Sequence, residues 1–377
     1  MSAAIEHAGA PRAAPAPTDS SRAGLLAALA AVERRHELAG ASTAVVEAGQ
    51  GPPIVLLHGP GEFAARWLRV IPDLATTHCV VAPDLPGHGD SQMFEGGFDA
   101  GRVLAWLDDL IESTCQSPPV LVGHLLGGSI AARFAVGRGD RLRHVVLVDS
   151  FGLGRFRPSP AFAFALFRFV ARPTGGSYER FMNQCLHDRD GFRGQIGDRQ
   201  WDLLQAYSLE LARTPRVRAA MRAFMSGLGV PRIPTQDLER IDAPTALIWG
   251  RHDRAMRLRV GEAASARYGW PLHVIEGAAD DPPMEQPGAF IAALRSAIGE
   301  QCPGGRGRRH ERRSRALQRA GAGPPGVGRD RGRLRRVRHA DPHVAGLRGS
   351  RARRPDGGNA LSRCRCRQRR PERPRGS

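Results

Sequence analysis

Apolar residues along this chain recur in two rhythms. Short runs rich in branched side chains lie at Thr43–Glu47, Ile54–His58, Cys79–Pro83, Val120–Gly123, Val145–Asp149, Thr245–Trp249 and Leu272–Ile275. Bounded by glycine, proline and polar clusters, they predict strands. Between them, apolar positions fall at helical spacing over Glu62–Ala75, Asp99–Cys115, Ser129–Val136 and Glu285–Ile298. An alanine-rich stretch near the start predicts one more helix, over residues 23–38. Strands that alternate with helices predict an α/β fold, with a mostly parallel sheet covered by helices on both faces.

One interval breaks the alternation. From Phe151 to Ile241 no strand pattern occurs, and helical patterns follow one another over Ala161–Ala171, Tyr178–Leu186, Arg199–Arg213 and Val217–Leu228. This predicts a helical cap inserted into the sheet domain. Phe162, Phe164, Phe167 and Phe169 are candidates to line an apolar cavity beneath it. Ordinary packing of the cap on the sheet is the competing, commoner use of such a face. The resulting division is an N-terminal extension at 1–41, a core made of 42–150 and 242–299, a cap at 151–241 and a tail at 300–377. Residues 1–22, rich in alanine and proline, are expected to be mobile.

Charge changes the picture only at the end of the chain. The net charge of +18 is not spread over the 377 residues. Residues 301–377 hold 24 arginines against five acids (+19), whereas residues 1–300 hold 31 arginines against 32 acids (−1). In the tail, glycine, proline and arginine dominate and no apolar periodicity survives, so disorder is expected there. A basic tail can hold polyanions through their phosphates. This one has no aromatic residue on which bases could stack. All 55 basic residues are arginine, which points to GC-rich codon bias, and the abrupt change of composition also fits a shifted reading frame.

The six cysteines show no spacing of a secreted disulfide framework. The apolar stretches Ala23–Val32 and Ala161–Ala171 are too short to span a bilayer. A soluble cytoplasmic protein is expected, with a small apolar ligand or substrate as partner. No membrane partner, metal or cofactor is expected, and nucleic acid only through the tail.

The chemistry-bearing motif is Val120-Leu121-Val122-Gly123-His124-Leu125-Leu126-Gly127-Gly128-Ser129. An apolar strand runs through a glycine-flanked turn into a small-residue helix, which is the layout of a nucleophile elbow. Gly123, His124 and Gly127 frame the turn, yet its centre is Leu125, an isobutyl group that can neither attack a carbonyl nor take a proton. Three further motifs accompany it: Leu56-Leu57-His58-Gly59-Pro60-Gly61, Asp84-Leu85-Pro86-Gly87-His88-Gly89-Asp90-Ser91, and Leu247-Ile248-Trp249-Gly250-Arg251-His252-Asp253.

Four such motifs in this order resemble the α/β-hydrolase superfamily, in its cap-containing branch, over residues 42–299. The resemblance implies an α/β-hydrolase fold and an ester or related carbonyl substrate. It assigns the nucleophile position to Leu125, the acid to Asp253 and the histidine to Asp280, within Gly277-Ala278-Ala279-Asp280-Asp281-Pro282-Pro283. It assigns the oxyanion amides to Leu126 and to the residue after His58-Gly59. That residue is Pro60, which has no N–H; Gly61 is the substitute if the loop is shifted. His58, His88 and His124 take structural roles in this scheme. Ser129, one helical turn past the elbow, is expected to pack against the sheet, and His252 to face solvent.

Two of three triad positions are thus substituted, and loss of ordinary serine-hydrolase activity is expected. The alternatives are a non-catalytic protein that binds an apolar ligand or serves as a scaffold, a cofactor-free proton-transfer enzyme, and polyanion binding through the tail. The proton-transfer reading rests on Asp253 and Asp280, two close carboxylates of which one would keep a proton.

Overall fold

Among the described residues, eight strands form one sheet in the order β1-β2-β4-β3-β5-β6-β7-β8. They are β1 (Val32–Leu38), β2 (Ala41–Ala48), β3 (Pro53–Leu57), β4 (Cys79–Pro83), β5 (Val120–His124), β6 (His144–Val148), β7 (Thr245–Gly250) and β8 (Leu272–Ile275). The structure is a computed structural model that describes residues 21–27 and 29–300. Residues 1–20 of the expected mobile start and the arginine-rich tail beyond Glu300 lie outside the described residues, whereas Ser21 and Arg22, also expected to be mobile, belong to a helix in which Arg22 is buried.

β1 and β2 pair antiparallel, β2 runs antiparallel to β4, and every pairing from β4 through β8 is parallel. The side chains of β3 alternate between the two faces. Ile54 and Leu56 join the apolar cluster on one side, and Val55 and Leu57 join the cluster on the other. Burial on both faces explains why these strands read as unbroken apolar runs. The connection from β4 to β5 crosses back over β3, so β3 and β5 become neighbours, with Leu57 opposite Gly123. Loops leaving two such strands diverge and open a crevice at their carboxyl ends. The elbow stands at this point.

The seven predicted strands all form. The eighth, β1, corrects the expected helix over 23–38. There the chain makes only α1 (Ser21–Leu26) and then turns into β1. Ala39 and Gly40, with φ of 47° and 78°, close a two-residue hairpin to β2, the left-handed pair that such a turn requires. The helix expected over Glu62–Ala75 is also broken. A 3₁₀ turn at Ala64–Trp67 precedes α2 (Ile71–Leu74), and Pro72, without an N–H, sits where a continuous helix would need a donor.

The helices expected over Asp99–Cys115 and Ser129–Val136 and those expected in the cap form. The one expected over Glu285–Ile298 is split at Gln286, and those at Arg189–Ile196, Thr235–Leu238 and Arg259–Tyr268 have no counterpart among the expected helices. α3 (Ala100–Thr114) is capped by Asp99, whose carboxylate accepts from the Arg102 N–H at 2.7 Å. α4 (Leu126–Arg138) starts directly at the elbow. Between β6 and β7 lie α5 (Pro160–Ala171), α6 (Gly175–Cys185), α7 (Arg189–Ile196), α8 (Asp198–Arg213), α9 (Pro215–Phe224) and α10 (Thr235–Leu238). α11 (Arg259–Tyr268), α12 (Pro282–Glu285) and α13 (Pro287–Ala297) complete the fold. α5 to α9 form a cap over the carboxyl ends of the strands.

Candidate functional site

Each strand from β3 to β8 delivers a polar residue or the elbow to one end of the sheet: His58, Asp84, Leu125, Asp149, Asp253 and Asp280 in that order. Leu125 has φ 46° and ψ −103°, a region that branched apolar residues rarely enter. The turn is over-determined from outside. The Leu125 N–H donates to the Val148 carbonyl at 2.9 Å, and its own carbonyl accepts from Phe151 at 3.1 Å and Ser129 at 3.2 Å. A Cβ on Gly123 would lie 2.3 Å from the Gly127 carbonyl oxygen, and one on Gly127 would lie 2.3 Å from that of Leu57. Only glycine permits this approach of helix to strand.

The Leu125 side chain points into a cavity of about 210 Å³ between sheet and cap. Pro60, Gly61, Glu62, Arg66, His124 and Asp280 share its floor. Phe162, Leu166, Phe169, Phe181, Met182 and Cys185 contribute to its roof. The four candidate phenylalanines therefore divide. Phe162 and Phe169, seven residues apart, face the cavity, while Phe164 and Phe167 are 65% and 66% exposed on the opposite face of α5. Ser129 does not reach the cavity; its hydroxyl donates to the Leu228 carbonyl at 2.6 Å. Leu126 opens α4, where first-turn N–H groups have no intrahelical acceptor.

The polar floor is a connected network. His124 Nε2 lies 2.6 Å from the Asp280 carbonyl oxygen, and its Nδ1 lies 3.6 Å from Glu62 Oε2. The same Glu62 oxygen accepts from the Gly59 N–H at 2.8 Å, and its other oxygen lies 3.3 Å from Arg66 Nε. Arg66 also pairs with Asp281. Burial alone would raise the Glu62 carboxyl, but Arg66 and then His124 hold it down at about 2. His58 serves the loops. Its Nε2 accepts from the Leu85 N–H at 2.9 Å, its Nδ1 lies 2.8 Å from the Gly59 carbonyl, and burial pushes its pKa down to about 4. Burial pushes His88 down to about 3, with Nδ1 beside the Pro86 carbonyl at 3.2 Å.

Behind this floor lies a second group of carboxylates. Asp253 Oδ1 accepts from the Ala255 and Met256 N–H groups at 2.6 and 2.8 Å. Asp149, itself at φ 44°, accepts from the Gly250 N–H at 2.9 Å. The other oxygen of each carboxylate is buried and finds no donor among the described residues, while the two side chains lie within hydrogen-bonding reach of one another. A single shared proton satisfies both. Accordingly burial raises Asp253 to about 6, and burial and then Asp253 push Asp149 well above the carboxylate range. Asp280 is also pushed well up, by burial and then by Asp253, Glu285 and Glu62. Its side chain touches the buried Cys185, whose thiol is raised by burial and by Asp280.

The structure thus gathers Leu125, His124, Pro60, Gly61 and Asp280 around one cavity, buries Leu126 beside it at the start of α4, and sets Asp253 just behind, where its direct partner is Asp149. Glu62, Arg66, Asp149 and Cys185 were not singled out by sequence. Asp149 had a usable signal, since it follows a predicted strand just as Asp253 does. His252 is exposed as expected, with its ring stacked on His187 at 4.0 Å.

A mostly parallel sheet, an elbow at the end of its fifth strand and a cavity under an inserted cap define the scaffold of the α/β hydrolases. The chain belongs to the alpha/beta hydrolase family, whose model matches residues 54–294. It is 29% identical to the 2-hydroxy-6-oxo-6-phenylhexa-2,4-dienoate hydrolase of Comamonas testosteroni over 57% of this chain and 76% of that protein. It is 31% identical to the pimeloyl-[acyl-carrier protein] methyl ester esterase of Chromobacterium violaceum, over 56% of this chain and 80% of the esterase. Among solved structures it is similar to 2-hydroxy-6-oxo-6-phenylhexa-2,4-dienoate hydrolase from Rhodococcus sp. strain RHA1. That likeness has a TM-score of 0.63 and 26% identity, over 71% of this chain and 98% of the other.

Proposed function

We propose that this chain binds a small apolar carbonyl compound in the cavity under the cap and does not carry out the acyl-transfer chemistry of serine hydrolases. The observation that carries this reading is Leu125. The strained turn that would present a nucleophile presents an isobutyl group to the cavity instead. The reaction also needs a neutral imidazole to take the nucleophile's proton, and a carboxyl group stands at that position as Asp280. It needs two N–H donors for the oxyanion, and Pro60 supplies none; one lost donor costs about 10²–10³ in rate.

The cavity favours a ligand with a flat apolar body. Phe162, Phe169 and Phe181 line it, and aromatic walls hold rings edge-on or stacked. Relatives named for a phenyl-bearing dienoate and for a methyl ester fit a carbonyl compound of that size class.

A fluorophosphonate probe is expected to leave the parent chain unlabelled. The double variant Leu125→Ser with Asp280→His is expected to gain labelling and measurable hydrolysis of short activated esters, with Asp253 orienting the new histidine. Stoichiometric labelling of the parent chain would sink the proposal.

A further inference from the structure

α5 is apolar on every side, and only one side is covered. Its sequence, Pro160-Ala161-Phe162-Ala163-Phe164-Ala165-Leu166-Phe167-Arg168-Phe169-Val170-Ala171, contains a single charge. Phe162, Leu166 and Phe169 face the cavity. On the other side Phe164 and Phe167 are 65% and 66% exposed, and Ala161 and Ala171 are exposed beside them. A helix apolar all round is normally buried all round. The chain within and on either side of α5 carries one sign of charge. Residues 151–178 contain Arg155, Arg157, Arg168 and Arg172 and no acid. All four arginines are exposed, and none is paired with a carboxylate among the described residues.

We propose that α5 docks this protein on the surface of an anionic lipid bilayer. Phe164 and Phe167 enter the boundary between headgroups and acyl chains, with the helix lying in the plane of the membrane. The four arginines reach lipid phosphates while their stems lie along the apolar layer. No helix among the described residues is long and apolar enough to cross a membrane, and surface docking needs none. Charge decides between a bilayer and a second copy of the chain. A two-fold contact through α5 would set two groups of four arginines against each other, whereas an anionic surface neutralises them. The docking stands whichever ligand the cavity takes.

The test uses the full chain with sedimenting vesicles of phosphatidylcholine, alone or mixed with phosphatidylglycerol. Binding is expected to the mixed vesicles and to weaken as salt rises. Phe164→Ser with Phe167→Ser is expected to weaken it about tenfold or more, and Arg157→Gln with Arg168→Gln to weaken it about fivefold per charge. All four side chains are exposed, and unchanged circular dichroism verifies that the variants fold. The arginine-rich tail is itself able to hold anionic vesicles, so the phenylalanine variant decides. Retention of full binding by that variant overturns the proposal. In the Phe164→Trp variant, brominated acyl chains are expected to quench fluorescence beyond the parent's, and no added quenching overturns it too. A parent that sediments as a dimer and becomes monomeric in the phenylalanine variant assigns the face to a second copy and equally overturns docking on lipid.

Discussion

Asp149 and Asp253 set the acid–base behaviour of the floor. Both carboxyls are raised above the value they have in an unfolded chain, so the folded state holds extra protons in the window between. For Asp253 that window runs from 3.8 to about 6. Its contribution to stability is therefore fully present below the lower value and is lost as pH rises through the upper one. At neutral pH the raised carboxyls therefore work against the fold. Asp253→Asn removes the conflict, because the amide oxygen keeps the Ala255 and Met256 N–H groups and the amide nitrogen donates to Asp149. Urea unfolding of this variant is expected to show stability at neutral pH equal to or above the parent's, with a flatter profile across the window. A variant that loses stability at neutral pH would show that no proton conflict exists. The sequence pairs Asp253 with Asp280, as two carboxylates expected on the pocket floor. Asp149 is the direct partner instead, because adjacent strands β6 and β7 bring it there, and strand order is written in long-range pairing and not in local pattern.

Among the elements, β1 shows what hydrophobic patterning cannot reveal. Val32-Glu33-Arg34-Arg35-His36-Glu37-Leu38 carries no apolar stripe, and only Leu38 is buried. It is an edge strand, and charged side chains on such a strand discourage pairing with other molecules. Its hold on β2 comes from the backbone ladder and from cross-strand pairs, with His36 Nε2 at 2.9 Å from Glu47 Oε1 and Arg34 paired with the same carboxylate. The alanine-rich run just upstream carries a helical signal that overlaps it. The buried strands β3 to β7 were legible for the opposite reason, since every residue of β3, β5 and β7 is buried. The β1–β2 turn also stores strain, with a non-glycine residue at φ 47°. Asparagine tolerates that conformation far better than alanine and makes the favoured Asn-Gly turn. Ala39→Asn is expected to raise stability by about 1 kcal/mol, read as a higher urea midpoint with an unchanged slope. No rise would show that the turn is relaxed as it stands.

At the scale of the whole molecule, Arg22 ties three parts of the chain together. From α1 it reaches Asp84 at 2.9 Å, pairs with Glu33 of β1 and meets the Tyr207 hydroxyl of α8 at 3.1 Å. Its guanidinium also lies 5.7 Å and 5.9 Å from the ring centres of Phe63 and Tyr207. The start of the described chain therefore clasps the cap to the sheet domain. Asp84 is fully buried, and it would be left as an uncompensated charge without its arginine. Arg22→Ala is expected to cost about 3–5 kcal/mol and to speed proteolysis between cap and core. A loss under about 1 kcal/mol would place the pair among ordinary surface contacts. No local signal marks Arg22 in the sequence. It is one of 55 arginines, and its partners Asp84 and Tyr207 lie far along the chain.

The turn at Leu125 has a consequence beyond the residue that fills it. Its direction is fixed by the Val148 carbonyl, the Phe151 and Ser129 N–H groups and the two tight glycines. None of these contacts involves the side chain. The position therefore behaves as a socket: whatever side chain is translated there is delivered to the same spot on the cavity floor, at the start of α4. A thiol, a hydroxyl or an unnatural reporter group would arrive already aimed, so the chemistry of this cavity is separable from the scaffold that addresses it.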